Sequence, residues 1–309
     1  MLRALLLYLS RAAWARNIVM RWGLARRVAR RFISGETEQE AIEAVKKLNA
    51  RGLTATIDVL GESVTQPDQA HAARDAYLSL LDAICRHKLN ASVSLKLTAL
   101  GLDIDPALCR DNLRRILTHA RERGLTVTID MEDHTYTQRT LDLFHALWRE
   151  DGLDNVHTVI QSYLYRSDAD IEALAQEGAC IRLCKGAYRE PPQVAYPKKR
   201  DVDAAYVRQM KVLLDAAKEG RGYPGLATHD EAIIEQAKAY ADSTGVPRTN
   251  YEFQMLHGVR SQLQEQLVAE GYRMRVYVPF GTQWYPYFMR RLAERPANLW
   301  FFVSNFFRR

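Results

Sequence analysis

Two adjacent arginines, Arg290 and Arg291, stand in a helical stretch, YPYFMRRLAER, late in the 309-residue chain. At about 100° per residue, Tyr287, Arg290, Arg291 and Glu294 share one face roughly 100° wide, opposite Phe288, Met289 and Leu292. Alone, the pair reads either as solvated charge or as an anion site, because a planar guanidinium grips a carboxylate in bidentate fashion and two of them orient it. Further polar groups close a series of apolar, strand-like runs: Glu62, Lys96, Asp130 with Glu132 and Asp133, Gln161, Arg182 with Lys185, Thr228 with His229, Gln254 and Tyr277. Lys96 in VSLKLTAL and Arg182 in CIRLCKG lie inside such runs, where a charge must be paired or belong to a site. Taken singly, others have ordinary explanations. His229 could be a loop histidine, Gln161 a strand-end cap, and Glu132, Asp133 and His134 a solvated loop.

The elements that must position these groups recur regularly. Strand-like runs occupy 53–60, 91–100, 125–131, 156–163, 179–186, 225–229, 251–256 and 273–280, with helical segments such as 67–87, 106–124 and 201–220 between them. The last two helical segments each close on a glycine, a common helix stop. Eight strand–helix alternations over about 240 residues predict a parallel sheet, and the count of eight predicts an α/β fold of the (β/α)8 barrel type. A doubly wound open sheet is the alternative. In a barrel, chemistry sits at the C-terminal strand ends, where the polar series falls. GRGYPG, at 220–225, matches the dinucleotide fingerprint GxGxxG in letters only. It follows a helix and precedes a strand, so it presents no helix N-terminus to a pyrophosphate.

Composition bounds the rest. A chain 47% hydrophobic and 26% charged is globular and buries a large core. The net charge of +6 comes from eight arginines and no acid within residues 1–35; the remainder holds 35 basic against 37 acidic residues. The body is therefore not marked electrostatically for nucleic acid. Residues 1–35 read as a basic amphipathic arm and 36–309 as the barrel with its C-terminal helix and apolar tail. The arm's apolar run, Ala4 to Leu9, is too short to span a bilayer or serve as a signal-peptide core. Its leucines at helical spacing, with Trp14 and Trp22 among arginines, suit a helix lying in a membrane interface or one packed on the body, with a mitochondrial transit peptide as a third reading. The tail from Asn298 to Arg309 poses the same choice. Cys85, Cys109, Cys180 and Cys184 form no CxxC pair and fit a reducing compartment, and eight scattered histidines show no metal-ligand spacing.

SLKLTALG, TIDMED, IQSYLYR, IRLCKGAYRE, ATHD, YEFQML, RVYVPFG and YPYFMRRLAER, in that order from about residue 55 to 295, resemble the motif series of the monofunctional, flavin-dependent proline dehydrogenase family. The resemblance implies oxidation of L-proline to Δ1-pyrroline-5-carboxylate, with hydride passing from the ring carbon beside nitrogen to N5 of bound FAD and electrons then passing to a membrane quinone. It implies that Lys96, Arg290 and Arg291 bind the carboxylate, that Asp130 organises the basic cluster and Tyr277, and that Arg182 stands beside the flavin. Tyr277, Tyr287 and Leu183 would wall the proline ring, and Tyr188 would pack near flavin or substrate. Met131 (through its main chain), Gln161, Lys185, Gly186, Ala187, Thr228 and His229 match cofactor-binding positions, with Lys185 neutralising phosphate charge. Glu62 and Arg189 match a gate pair. The residues from Tyr277 to the arginine pair are fewer than in the family's bifunctional members, and 309 residues leave no room for their second, aldehyde-oxidising domain. A separate pyrroline-5-carboxylate dehydrogenase is then expected to take the product. The implied location is the cytoplasm, peripherally associated with the membrane's inner face through anionic lipid.

Two other readings use the same residues. Lys96 or Lys185 could form a Schiff base in an aldolase-type barrel, or the barrel could be a non-catalytic, membrane-associated module. The second leaves the strand-end charges unexplained.

Overall fold

The computed structural model describes Ala29 and residues 31–294. Eight parallel strands close on themselves in sequence order: β1 (Thr54–Val59), β2 (Ala91–Leu95), β3 (Val127–Ile129), β4 (Val156–Gln161), β5 (Ile181–Cys184), β6 (Gly225–Ala227), β7 (Glu252–Leu256) and β8 (Met274–Phe280). The seam is an ordinary parallel ladder in which Ile57 lies opposite Val278. The predicted barrel is therefore present and the open-sheet alternative is excluded.

The helices form by local rules. α1 (Glu38–Asn49) opens on a capping box in which the Thr37 hydroxyl accepts from the Glu40 N–H and the Glu40 carboxylate reaches back to Thr37. Its Ala41, Ile42, Val45 and Leu48 are buried on the face toward the barrel. α2 (Pro67–Arg86) and α3 (Pro106–Arg121) each begin with proline at the first helical position, where the missing N–H costs nothing, and Asp105 caps α3. α4 (Thr137–His145), α5 (Ser167–Glu177), α6 (Lys199–Lys218), α7 (Glu231–Thr244) and α8 (Ser261–Ala269) follow their strands. GRGYPG runs from just past the end of α6 into the first residue of β6, with Gly220 and Gly222 in the left-handed region, as a helix stop requires.

The last helix, α9 (Trp284–Glu294), is held by its own apolar cluster. Trp284, Tyr285, Phe288, Met289 and Leu292 pack with Phe32, Ile33 and Leu60. The Trp284 indole donates to Glu36 at 3.2 Å, Ser34 N–H donates to the Pro279 carbonyl at 2.9 Å, and Gly281 N–H donates to the Gly35 carbonyl at 3.1 Å. The end of the basic arm thus packs against α9. The rest of the arm, residues 1–28, and the tail beyond residue 294 lie outside the described residues. No helix among the described residues is long and apolar enough to cross a membrane.

Candidate active site

A cavity of about 680 Å³ opens among the C-terminal strand ends and under α9. Fourteen of the sixteen residues the sequence nominates line it: Lys96, Asp130, Met131, Gln161, Arg182, Lys185, Gly186, Ala187, Thr228, His229, Tyr277, Tyr287, Arg290 and Arg291. Glu62 stands behind this wall, bonded to one of its arginines, and Arg189 follows Tyr188 in the loop after β5. Tyr188 lines the cavity as well. Leu183 is fully buried in the apolar core.

At the centre is Asp130, one residue past β3. Its Oδ1 accepts from Arg182 Nη1 at 2.6 Å and from the Ser94 hydroxyl at 3.0 Å; its Oδ2 accepts from the Tyr277 phenol at 2.6 Å. Arg182 also donates through Nε to Gln254 at 2.6 Å and through Nη1 to the Ser94 hydroxyl at 2.8 Å, so its fork cannot rotate. Gln254 fits because β6 carries Gly225, where a Cβ would come within 2.2 Å of the Gln254 amide. Burial, reinforced by Asp130 and then Asp58, raises Tyr277 well above its ordinary range and keeps it a phenol that donates.

Lys96 shows what sequence reasoning missed. Its ammonium lies 3.0 Å from Asp58 and 3.9 Å from Asp130. Asp58, completely buried on β1, is the nearer partner, and its other oxygen accepts from Tyr77 at 3.3 Å. The signal was available, since an acid inside TATIDV is as anomalous as a lysine after an apolar strand. Burial alone would lower the Lys96 pKa, but Asp58 and then Asp130 hold it well above the ordinary lysine range. A Schiff-base lysine needs the opposite, a depressed pKa and a free amine. Lys185 is equally unsuited, being gripped by Asp203 at 2.6 Å and Asp230 at 2.9 Å. The aldolase reading therefore fails at both lysines.

The arginine pair is not solvated surface. The Arg290 side chain is held in a fork by Glu62, with bonds of 2.8 and 3.0 Å, and its guanidinium lies 5.5 Å from the Tyr188 ring centroid. Only 8% of the residue is exposed. Arg291 is half-buried, with its guanidinium 5.1 Å from the Tyr287 ring centroid. The apolar face of α9, anchored on Phe32 and Leu60, turns these cations toward the cavity.

Two expectations change here. Glu132 is no solvated loop residue: it is 6% exposed, and its oxygens accept from the Thr98 N–H at 3.1 Å and the Thr98 hydroxyl at 2.7 Å. Burial, opposed by those bonds, pushes its carboxyl up to about 7. His134, read with it as a solvated loop group, binds Glu190 through its ring, and Tyr163 donates to the same carboxylate at 3.0 Å. This joins the loops after β3 and β5. Lys185, expected to neutralise phosphate charge, lines the cavity and is joined with Lys199 to Asp203 and Asp230. Burial would raise Asp230, but the two lysines bring it down to about 2.

The other candidate cofactor residues present mixed groups. Gln161 donates to the Met131 and Glu132 carbonyls at 3.2 Å each, which leaves its buried amide oxygen as an acceptor with no protein partner. His229 Nε2 accepts from Leu256 N–H at 3.0 Å, which places the ring proton on Nδ1. Gly186 has φ near +106°, and a Cβ there would meet the Tyr163 ring at 2.6 Å. Its glycine is needed for that packing as well as for the turn. A roomy cavity with one orphaned acceptor, aromatic walls and a cationic end fits a flavin together with a small carboxylate.

A closed parallel barrel with its charged cavity at the C-terminal face defines a barrel enzyme. The chain belongs to the proline dehydrogenase family: residues 41–303 match the family described as Proline dehydrogenase. It is 41% identical over 305 residues to Proline dehydrogenase 1 of Bacillus subtilis strain 168, covering 99% of each chain. It is 43% identical over 281 residues to the proline dehydrogenase of Deinococcus radiodurans, covering 90% of this chain and 89% of that protein. Among solved structures, proline utilization A from Bdellovibrio bacteriovorus, inactivated by N-propargylglycine, superposes with a TM-score of 0.81 at 28% identity. That match covers 87% of this chain and 33% of the other. Proline oxidation is the activity these relationships support.

Proposed function

We propose that the protein is an FAD-dependent proline:quinone oxidoreductase that converts L-proline to Δ1-pyrroline-5-carboxylate. The observation that carries this reading is the cationic end of the cavity, lined by Lys96, Arg290 and Arg291, with Lys96 3.9 Å from Asp130. A single small carboxylate satisfies three cations there, and its ring lies against Tyr277 and Tyr287. Such fixing of the reacting carbon supplies the orientation that hydride transfer demands. Asp130 keeps Tyr277 and Arg182 in one geometry through both its oxygens, and Arg182 places positive charge where negative charge develops on the electron acceptor.

Met131, Gln161, Lys185, Gly186, Ala187, Thr228 and His229 would hold FAD, which would supply the two-electron acceptor. The substrate loses a hydride from the ring carbon and a proton from nitrogen, and a ring C=N bond forms. The orphaned oxygen of Gln161 supports the cofactor assignment, whereas the balanced Lys185 cluster makes that lysine an organiser of the wall. Glu62 and Arg189 act as a gate that closes over bound substrate. Electrons leave to a membrane quinone. The protein works at the cytoplasmic face, its 1–35 arm resting on anionic lipid, and a separate pyrroline-5-carboxylate dehydrogenase consumes the product.

Steady-state turnover of L-proline with a soluble quinone tests the reading. Proline-dependent quinone reduction supports it; flavin-replete protein that reduces no quinone with proline refutes it.

A further inference from the structure

The mouth of the barrel contains a buried polar pair, Glu132 and Thr98, neither of which lines the cavity. Glu132 holds Thr98 with both carboxylate oxygens, one on its N–H and one on its hydroxyl. Because that hydroxyl spends its proton on Glu132, its lone pairs face outward, and one accepts from Ser63 N–H at 3.0 Å. The Thr98 carbonyl accepts from Val64 N–H at 3.1 Å. Two consecutive amides of the β1–α2 loop are therefore bound to a single residue of the turn after β2. Ser63 sits at φ +57°, a left-handed conformation that costs a non-glycine residue energy and persists only where its surroundings hold it. The residue immediately before it is Glu62, whose carboxylate forks onto Arg290.

The pair also has a second end. The Glu132 carbonyl accepts from Gln161, and Lys96 stands two residues before Thr98 on the same turn. One threonine thus lies between the segment that carries Lys96 and the loop that carries Glu62.

We propose that Thr98, anchored by Glu132, is a positioning residue for substrate binding: it latches the 61–64 loop so that Glu62 holds Arg290 in the carboxylate-binding geometry. The inference rests on reading the cavity as the proline site. Thr98 is 1% exposed and does not line the cavity, so its hydroxyl acts on substrate through the loop that carries Glu62.

The test is a double-mutant cycle read as KM against kcat for L-proline. Thr98→Val keeps the shape and removes the hydroxyl. It is expected to raise KM about 10-fold with kcat within about 3-fold of wild type and flavin content unchanged, the size of one lost hydrogen bond to a buried group. Thr98→Ser, which keeps the hydroxyl, should restore KM to within about 2-fold. Glu62→Gln should raise KM, and adding Thr98→Val to it should change KM by less than about 2-fold, because both act on one linkage. A KM for Thr98→Val within 2-fold of wild type overturns the latch, as does a double variant whose effect is the product of the singles. Wild-type protein that does not oxidise proline would refute the assignment of the site instead. Hydrogen exchange of a peptide spanning residues 60–66, measured without substrate, then still decides the latch: exchange at least about 10-fold faster in Thr98→Val supports it, and unchanged exchange overturns it. Should Thr98→Val not fold, Glu132→Ala, which leaves Thr98 unanchored, must accelerate exchange in the same peptide, or the latch is wrong.

Discussion

Asp58→Asn isolates the partner of Lys96. The substitution preserves shape and an acceptor for Tyr77 but removes the charge that sits 3.0 Å from a buried ammonium. At an effective dielectric of about 20, unit charges 3.0 Å apart attract by about 5.5 kcal/mol. Lys96 keeps Asp130 at 3.9 Å, and removing one member of a buried pair typically costs about 3–5 kcal/mol. The lower end, about 3 kcal/mol, is therefore expected. For a chain of this length that lowers the melting temperature by about 5 °C. The diagnostic arm is Asp58→Asn combined with Lys96→Met. With both charges gone, Asp130 remains satisfied by Arg182, Ser94 and Tyr277, so the double variant should melt above Asp58→Asn alone although it binds proline poorly. Differential scanning fluorimetry of flavin-loaded protein measures Asp58→Asn, Lys96→Met and the double variant. A melting temperature for Asp58→Asn within about 1 °C of wild type would refute the reasoning, and so would a double variant that loses the sum of both single losses.

Glu132 supplies a pH test. With its carboxyl near 7 in the fold against 4.5 ordinarily, the native state holds a proton that the unfolded chain has released between those values. Stability from this group therefore falls as pH rises through that window, by about 3 kcal/mol, and stays flat above it. Relative to wild type, Glu132→Gln should gain denaturant resistance between pH 5 and pH 8, and a difference that stays constant with pH contradicts the burial argument. Arg290→Met or Arg291→Met should each raise the KM for proline at least about 10-fold while flavin content stays normal, since each removes a charged hydrogen-bond donor. Unchanged KM would return the pair to surface charge. Deleting residues 1–28, which leaves Phe32 and Ile33 against α9, should abolish sedimentation with anionic vesicles, and undiminished binding would dismiss the interface-helix reading of the arm.

Much of the barrel was legible because its strands are apolar, β-rich runs set between helices with ordinary stops. The runs overshot where chemistry interrupts the ladder: β2 ends at Leu95 and β3 at Ile129, one residue before Lys96 and Asp130 respectively. What stayed hidden depended on partners distant in the chain. Periodicity divided α9 into two faces but could not say which one water would see; Phe32 and Glu62, more than 200 residues away, decide that. Glu132 reads locally as a loop acid, and Thr98, 34 residues earlier, makes it a buried one. The partners of Lys185 stayed hidden because Asp203 and Asp230 come from later elements. Asp58 alone was open to local reading, as a charge within an apolar strand.

The central claim is that the cavity brings proline's carboxylate to the three cations beside a bound flavin. Anaerobic titration of the purified, flavin-replete protein with L-proline, followed by the flavin's visible absorption, tests it most directly. The yellow absorption should bleach with L-proline, and Arg290→Met should require far more proline for the same bleaching. Flavin that stays oxidised under excess proline in the wild-type protein would contradict it.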